Sequence, residues 1–181
     1  MLNGNLYVTE CLGLSGGYSD AVLEKISKIA RDNNINQILV EQNFGGGMFA
    51  ELLKPFLMRF HPCQVEDVRN NKTKELRIID TLEPVMNSHR LIIDRKVIEK
   101  DFRSNPQETP ERRLKLQLVY QLSRISRHRG SLVHDDLVDS LAGAVAYWTE
   151  YMAQNEDLNI SKRKEELLSI HTDNWNSLFN N

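Results

Sequence analysis

Residues 134 to 148 read His-Asp-Asp-Leu-Val-Asp-Ser-Leu-Ala-Gly-Ala-Val-Ala-Tyr-Trp. Acidic residues open this stretch, and apolar residues then recur at spacings of three and four, at Leu137, Val138, Leu141, Ala144, Val145 and Trp148. This is the period of an amphipathic helix, so the six side chains are predicted to form one buried face. On such a helix Asp135 and Asp139 lie one turn apart beside that face, and Asp136 points further outward. The stretch therefore predicts a buried helix that carries carboxylates at its start.

A second acidic element lies far upstream, where Val40-Glu41-Gln42-Asn43 ends the short apolar run from Ile35 to Val40. Such a run suits a buried parallel strand, and ligand sites of open α/β sheets form at strand carboxyl ends. Carboxylates from a strand end and a helix start suit Mg²⁺ or Mn²⁺. Two such ions can activate water and stabilise the leaving oxygen in phosphodiester cleavage. The alternatives are a solvated acid at Glu41 and simple helix capping by the aspartates.

The rest of the chain alternates predicted strands and helices, which indicates an α/β fold with some parallel pairing. Strands are predicted at 6–12, 35–40, 63–68 and 89–94, and helices from Ser19 or Asp20 to Asp32, at 48–60, 73–88 and 112–126, and from 134 to about 152. The helix at 73–88 is expected to bury Leu76, Ile79, Leu82 and Met86. We assign residues 1–153 to one domain and 154–181 to a polar C-terminal tail.

The bulk properties exclude several classes of protein. The chain has 181 residues, a net charge of −2 and only two cysteines without metal-like spacing. These values predict one globular domain in a reducing compartment rather than a wholly basic nucleic-acid coat. No apolar run approaches the roughly 18 residues of a membrane span, so no membrane partner is expected.

Basic residues precede the helix that is predicted to begin at residue 134. Arg124, Arg127 and Arg129 form a cluster just before Gly130, and Lys72, Lys74 and Arg77 form a weaker one. Such clusters are usually solvated surfaces. Their position beside a predicted acidic metal site makes both candidates for contacts with a DNA backbone.

Several motifs together resemble a known family, the C-terminal nuclease domain of phage terminase large subunits, and in particular the DNA maturases of T7-like phages. The motifs are Gly-Gly-Tyr-Ser-Asp at 16–20, Val-Glu-Gln-Asn-Phe-Gly-Gly-Gly-Met-Phe at 40–49 and His-Asp-Asp-Leu-Val-Asp-Ser-Leu-Ala at 134–142. Shorter matches are Arg77-Ile78-Ile79, Leu82-Glu83-Pro84 and His89-Arg90-Leu91. The resemblance covers roughly residues 3 to 153.

The resemblance implies an RNase H-like fold, with a mixed sheet flanked by helices, and a metal-dependent endonuclease that cuts concatemeric double-stranded DNA during packaging. Glu41 matches the acid before the family's Gly-rich loop, and Asp135 and Asp136 match the acids opening its last helix. Asp139 lies one turn on and is expected to support the Mg²⁺ or Mn²⁺ ions. The resemblance also implies a terminase small subunit and a portal protein as partners, and the host bacterial cytoplasm as location.

The chain departs from the family pattern at its N-terminus. The family's first catalytic Asp lies on a strand that would precede Asn3, and the packaging ATPase with its Walker A motif has no counterpart here. We therefore expect an N-terminally truncated domain that binds metal weakly and cuts DNA poorly. The main alternative is a catalytically impaired terminase fragment that acts only in binding DNA or a packaging partner. A third hypothesis is that the chain is an unrelated α/β phosphohydrolase.

Overall fold

The computed structural model describes residues 4–42, 47–69 and 73–154, together with 161 and 163. The elements, in chain order, are β1 (Leu6–Val8), α1 (Asp20–Asp32), β2 (Gln37–Glu41), α2 (Met48–Phe60), β3 (Gln64–Val68), α3 (Lys74–Asn87), β4 (Leu91–Ile93), α4 (Arg95–Arg103), α5 (Pro110–Lys115), α6 (Leu118–Arg124) and α7 (136–154). Strands alternate with helices as far as β4, which confirms the predicted α/β class.

The four strands form two short parallel sheets within the described residues. β1 pairs with β4, with Leu6 opposite Leu91, and β2 pairs with β3, with Glu41 opposite Val68. Each pair is joined by a connection that contains helices, as parallel strands require. Glu41 is therefore the last residue of a paired strand, as the sequence predicts.

Helices cover the two sheets through two separate hydrophobic clusters. The first, which we call the α7 cluster, joins Leu6 of β1 to buried residues of α3, α6 and α7; these are Ile78, Leu82, Val85, Leu118, Leu137, Val138, Leu141, Ala142 and Val145. The second, the α2 cluster, contains Leu23 and Ala30 of α1 with Leu53 and Leu57 of α2. It packs on the β2–β3 sheet through partly buried residues that include Ile38 and Val65.

The predicted buried face of α7 is largely confirmed. Leu137, Val138, Leu141 and Val145 are buried, whereas Trp148 is 41% exposed and Ala144 is exposed. The face predicted for α3 is wrong in part, because Leu76 and Met86 are exposed while Ile78 and Val85 are buried. Both stripes have helical spacing, and the packing of α3 against α7 selects the one that contains Ile78, Leu82 and Val85.

Two predictions between 95 and 126 need correction. Helix α4 was not predicted, since its charged sequence buries only Val97 and Asp101. The single helix predicted at 112–126 is broken at Gln117, which has an extended backbone. The Asp101 carboxylate accepts hydrogen bonds from the backbone N–H groups of Leu118 and Val119, at 2.9 and 3.2 Å. A tertiary contact therefore caps α6 where the sequence pattern favours continuation.

The proposed tail at 154–181 lies mostly outside the described residues. Among the helices that the structure describes, none is both long and apolar enough to cross a membrane.

Candidate functional site

The start of α7 is held by a buried glutamine of α6. The Gln121 side-chain oxygen accepts hydrogen bonds from the backbone N–H groups of Leu137 and Val138, at 3.2 and 3.0 Å. The N–H of Asp139 donates to the carbonyl of Asp135 at 2.9 Å, which makes the first helical turn. Gln121 is almost fully buried. It therefore fixes the position from which the acidic residues of α7 project.

Asp139 of α7 and Asp135, which immediately precedes this helix, share one cation from α3. The Lys74 ammonium lies 2.8 Å from Asp135 Oδ1 and 3.2 Å from Asp139 Oδ2. The side chain of Asp139 is only 8% exposed, and that of Asp135 is 24% exposed. Residues one helical turn apart lie on the same face, so a single cation can bridge them. The structure thus brings Asp135 and Asp139 together, whereas Asp136 is exposed at the start of α7.

A second cation of α3 connects Asp139 to the strand-end acid Glu41. The Arg77 Nη2 atom lies 2.6 Å from Asp139 Oδ1 and 3.7 Å from Glu41 Oε1. The side chain of Arg77 is 12% exposed, and its Nε is buried without a hydrogen-bond partner among the described residues. Glu41 of β2 and Asp139 of α7 are therefore joined through one guanidinium, although 98 positions of sequence separate them.

Burial and the neighbouring aspartates both change the pKa of Lys74. Burial of the ammonium works against its charge, but the hydrogen bonds to Asp135 and Asp139 outweigh that effect and raise the pKa of Lys74. A raised pKa means that the charged ammonium is the form favoured in the folded chain. The acidic group is therefore largely neutralised from within the molecule.

The donor set fits a hard divalent cation in chemistry, since carboxylate oxygens are the ligands that Mg²⁺ and Mn²⁺ prefer. The positions occupied by the Lys74 ammonium and the Arg77 guanidinium show that the carboxylates already face cations. However, no group of three His, Cys, Asp or Glu residues within the described part of the chain lies close enough to hold a metal ion. Metal binding would therefore require these carboxylates to leave their internal cations and move together.

Three of the predicted phosphate contacts are exposed, at the end of α6 or just after it; these are Arg124, Arg127 and Arg129. Arg127 pairs with Asp80 at 3.0 Å and with Glu83 at 3.2 Å, and Arg124 lies over the Tyr120 ring. Arg129 is exposed. Lys72 lies outside the described residues.

Sequence reasoning missed two residues that build the site. Arg77 is placed by the structure between carboxylates rather than on a solvent-facing basic surface, and Gln121 is an internal cap. The sequence did contain a signal for Arg77. Lys74 and Arg77 are one helical turn apart, and so are Asp135 and Asp139, so these charges could pair across two adjacent helices. No comparable signal existed for Gln121, because its partners are backbone groups of another helix.

Comparisons with known proteins agree on one relationship. A family model described as the ribonuclease H-like domain of the bacteriophage T7 terminase matches residues 1–91, a range that includes Glu41, Lys74 and Arg77. The chain is also 36% identical over 167 residues to a protein described as "Terminase, large subunit" from Enterobacteria phage T3. That alignment covers 92% of this chain and 28% of the phage T3 protein. The chain thus spans less than a third of that relative.

Proposed function

This chain belongs to the large-subunit terminase family of T7-like phages, through the ribonuclease H-like domain, and from that premise we propose that it is a metal-dependent DNA endonuclease domain. Its substrate in this proposal is concatemeric double-stranded DNA, which it cleaves during genome packaging. The terminase small subunit and the portal protein are its proposed partners, and the host bacterial cytoplasm is its proposed location.

The observation that carries the proposal is the convergence of acids from β2 and α7 on α3. Arg77 contacts both Glu41 and Asp139, and Lys74 contacts both Asp135 and Asp139. Two oxygens that share one divalent ion lie within about 5 Å of each other, since each is about 2.0–2.6 Å from it. When two carboxylate oxygens contact the same side-chain cation, the distance between them cannot exceed the sum of the two contact distances. Modest movements would therefore bring both oxygens within reach of one metal ion.

The proposed ligands are Glu41, Asp135 and Asp136, with Asp139 in support. Bound Mg²⁺ or Mn²⁺ would supply an activated water and charge stabilisation at the phosphate. Asp136, which is exposed at the start of α7, would reach the site from the solvent side. Arg77 keeps Glu41 and Asp139 oriented. Arg124, Arg127, Arg129, Lys72 and Lys74 are the proposed contacts to the DNA backbone, which position the duplex without reading its sequence.

Plasmid cleavage tests this function. Supercoiled plasmid is incubated with the chain and Mn²⁺, and nicked and linear products are measured. Because metal binding is expected to be weak, we expect slow nicking at most by the unaltered chain, and loss of it in Asp135→Asn and Glu41→Gln. The matched control is Glu99→Gln, which removes an exposed acid that pairs with Arg95 on α4. Cleavage that persists in both Asp135→Asn and Glu41→Gln would refute the assignment of the site.

A second candidate function is DNA or partner binding without cleavage. It is favoured by the internal neutralisation of Asp135 and Asp139, and by the lack of a preassembled three-carboxylate group in the described residues. It predicts that the chain binds plasmid DNA with a strong salt dependence but leaves it uncut in Mn²⁺. Replacing Arg124, Arg127 and Arg129 together should then weaken binding to all sequences alike and flatten the salt dependence. Cleavage by the unaltered chain would exclude this candidate.

A further inference from the structure

Lys74 is the first residue of α3 and lies beside the carboxylates of the site. Its ammonium contacts both aspartates that face the site from α7, Asp135 at 2.8 Å and Asp139 at 3.2 Å. A bound metal ion would likewise contact carboxylate oxygens. Lys74 therefore satisfies two carboxylates that would otherwise repel each other across one helical turn.

The two cations of α3 differ in how firmly they are held. Arg77 is 12% exposed and is bound to Asp139 at 2.6 Å, deep between α3 and α7. Lys74 is 39% exposed. A lysine ammonium is a compact, strongly hydrated charge on a flexible stem, whereas a guanidinium in a fixed ion pair is rigid. Lys74 can therefore leave for solvent at low cost, and Arg77 cannot.

We propose that Lys74 is a built-in competitor for the divalent ion and thereby sets the metal affinity of this site. The inference rests on the proposed function, because it takes Asp135 as a metal ligand. In the chain without metal, the Lys74 ammonium holds Asp135 and Asp139. A divalent ion that binds the Asp135 oxygen now contacted by Lys74 displaces that ammonium, because the two cations repel each other at such short range. Metal therefore binds only at concentrations high enough to outcompete Lys74.

The geometry gives this competitor a specific consequence. Arg77 continues to hold Asp139 and to contact Glu41 when Lys74 moves away, because its contacts are independent of the ammonium. Glu41 and Asp139 therefore keep a common counter-ion when the ammonium leaves, and the first exchange concerns the Lys74 side chain alone. Removing the Lys74 charge should raise metal affinity without unfolding the site.

Calorimetric titration with Mn²⁺ tests the proposal on the full chain, without any measurement of cleavage. The variants are Lys74→Met, which keeps a similar stem without charge, and Lys74→Arg, which keeps the charge. The matched control is Lys28→Met, which removes an exposed lysine that pairs with Glu24 on α1. Asp135→Asn reports whether the measured ion binds at the proposed site.

We expect Lys74→Met to bind Mn²⁺ about fivefold more tightly than the unaltered chain, because the ion then no longer displaces an ammonium whose ion pairs, at a partly exposed side chain, are of modest strength. Lys74→Arg and Lys28→Met should stay within about twofold of the unaltered chain. Urea unfolding of each variant checks that it is folded, and Lys74→Gln provides a second uncharged variant if Lys74→Met is not.

The outcomes separate this inference from the function on which it rests. Equal affinity of the unaltered chain and Lys74→Met, together with loss of binding in Asp135→Asn, would overturn the role of Lys74 and leave the metal site standing. No Mn²⁺ binding by any variant, or binding that survives Asp135→Asn, would overturn the metal site itself and the inference with it.

Discussion

The α7 cluster and the α2 cluster both pack helices against a short sheet, but they differ in the polar groups that accompany their apolar contacts. In the α2 cluster, Leu53 and Leu57 pack on Leu23 and Ala30, and the buried Ser27 hydroxyl bonds only within its own helix, to the Leu23 carbonyl. Around the α7 cluster, buried polar groups bond between helices: Gln121 to α7, Asp101 to α6, and Asp139 to Arg77 of α3. Apolar contacts are non-directional, whereas hydrogen bonds fix direction. The α7 cluster, where directional hydrogen bonds join the helices, is the one beside which Asp135 and Asp139 lie.

Glu41 comes from the side of the α2 cluster, whereas Lys74, Arg77, Asp135 and Asp139 come from the side of the α7 cluster. Polar contacts join the two sides near the site: Arg77 contacts Glu41, and the Tyr147 hydroxyl donates to the Gln37 side chain at the start of β2. The relative placement of strand-end and helix acids therefore depends in part on these polar contacts. The following predictions test that dependence, in order of expected effect.

Replacing Arg77 with Met should be the most damaging single change. Among the described residues it leaves the nearly buried Asp139 carboxylate with Lys74 as its one counter-ion, and breaking a buried ion pair typically costs about 3–5 kcal/mol. Urea unfolding measures the loss. The control Arg95→Met, at a highly exposed ion pair, should change the free energy of unfolding by less than about 1 kcal/mol. A double variant with Asp139→Leu should recover part of the loss; equal damage in single and double variants would contradict an ion-pair origin.

Gln121→Leu should weaken the α7 cluster selectively. It keeps much of the side-chain volume but leaves the N–H groups of Leu137 and Val138 without their acceptor, at a cost of about 1–3 kcal/mol. Hydrogen exchange should accelerate at those two amides and stay unchanged in α2. Equal acceleration in α1 and α2 would show that the two clusters unfold as one unit.

Tyr147→Phe tests a contact between the two sides. It removes the hydrogen bond to Gln37, and a bond of this kind contributes about 0.5–1.5 kcal/mol. Tyr120→Phe on α6 is the matched control, and it should be neutral. Chemical shifts at Gln37 and Glu41 should move in Tyr147→Phe if this bond positions β2 against α7, and unchanged shifts would argue against that role.

The smallest effect concerns the two thiols, one packed on each cluster. Burial, assisted by the nearby Asp101 and Glu10 charges, raises the pKa of the Cys11 thiol to about 11, while weaker burial raises the pKa of Cys63. Because the folded chain favours protonated Cys11, its stabilising contribution is complete below pH 9 and is lost as pH rises towards about 11. Cys11→Ala should flatten that decline. At pH 8 a thiol reagent should label Cys63 faster than Cys11, and the reverse order would contradict the difference in burial.

Much of the fold could be predicted locally because its elements carry their own signals. The strand before Glu41, the helices beginning after Ser19 and Thr73, and the buried face of α7 all follow from periodicity and helix-start residues. The motifs led to the terminase large-subunit family and its RNase H-like fold, and the family match confirms both. The assignments of Glu41, Asp135 and Asp136 as ligands stay predictions.

The sequence by itself determined the family, the α/β order and which residue types could form a site. Tertiary structure alone decided that α3 buries Ile78 and Val85 instead of Leu76 and Met86, and that Asp101 breaks the helix predicted at 112–126. It also placed Lys74 and Arg77 between the carboxylates. The physical reason is range: periodicity and capping act within a few residues of the chain, whereas charge pairing and buried hydrogen bonds depend on which helices lie side by side.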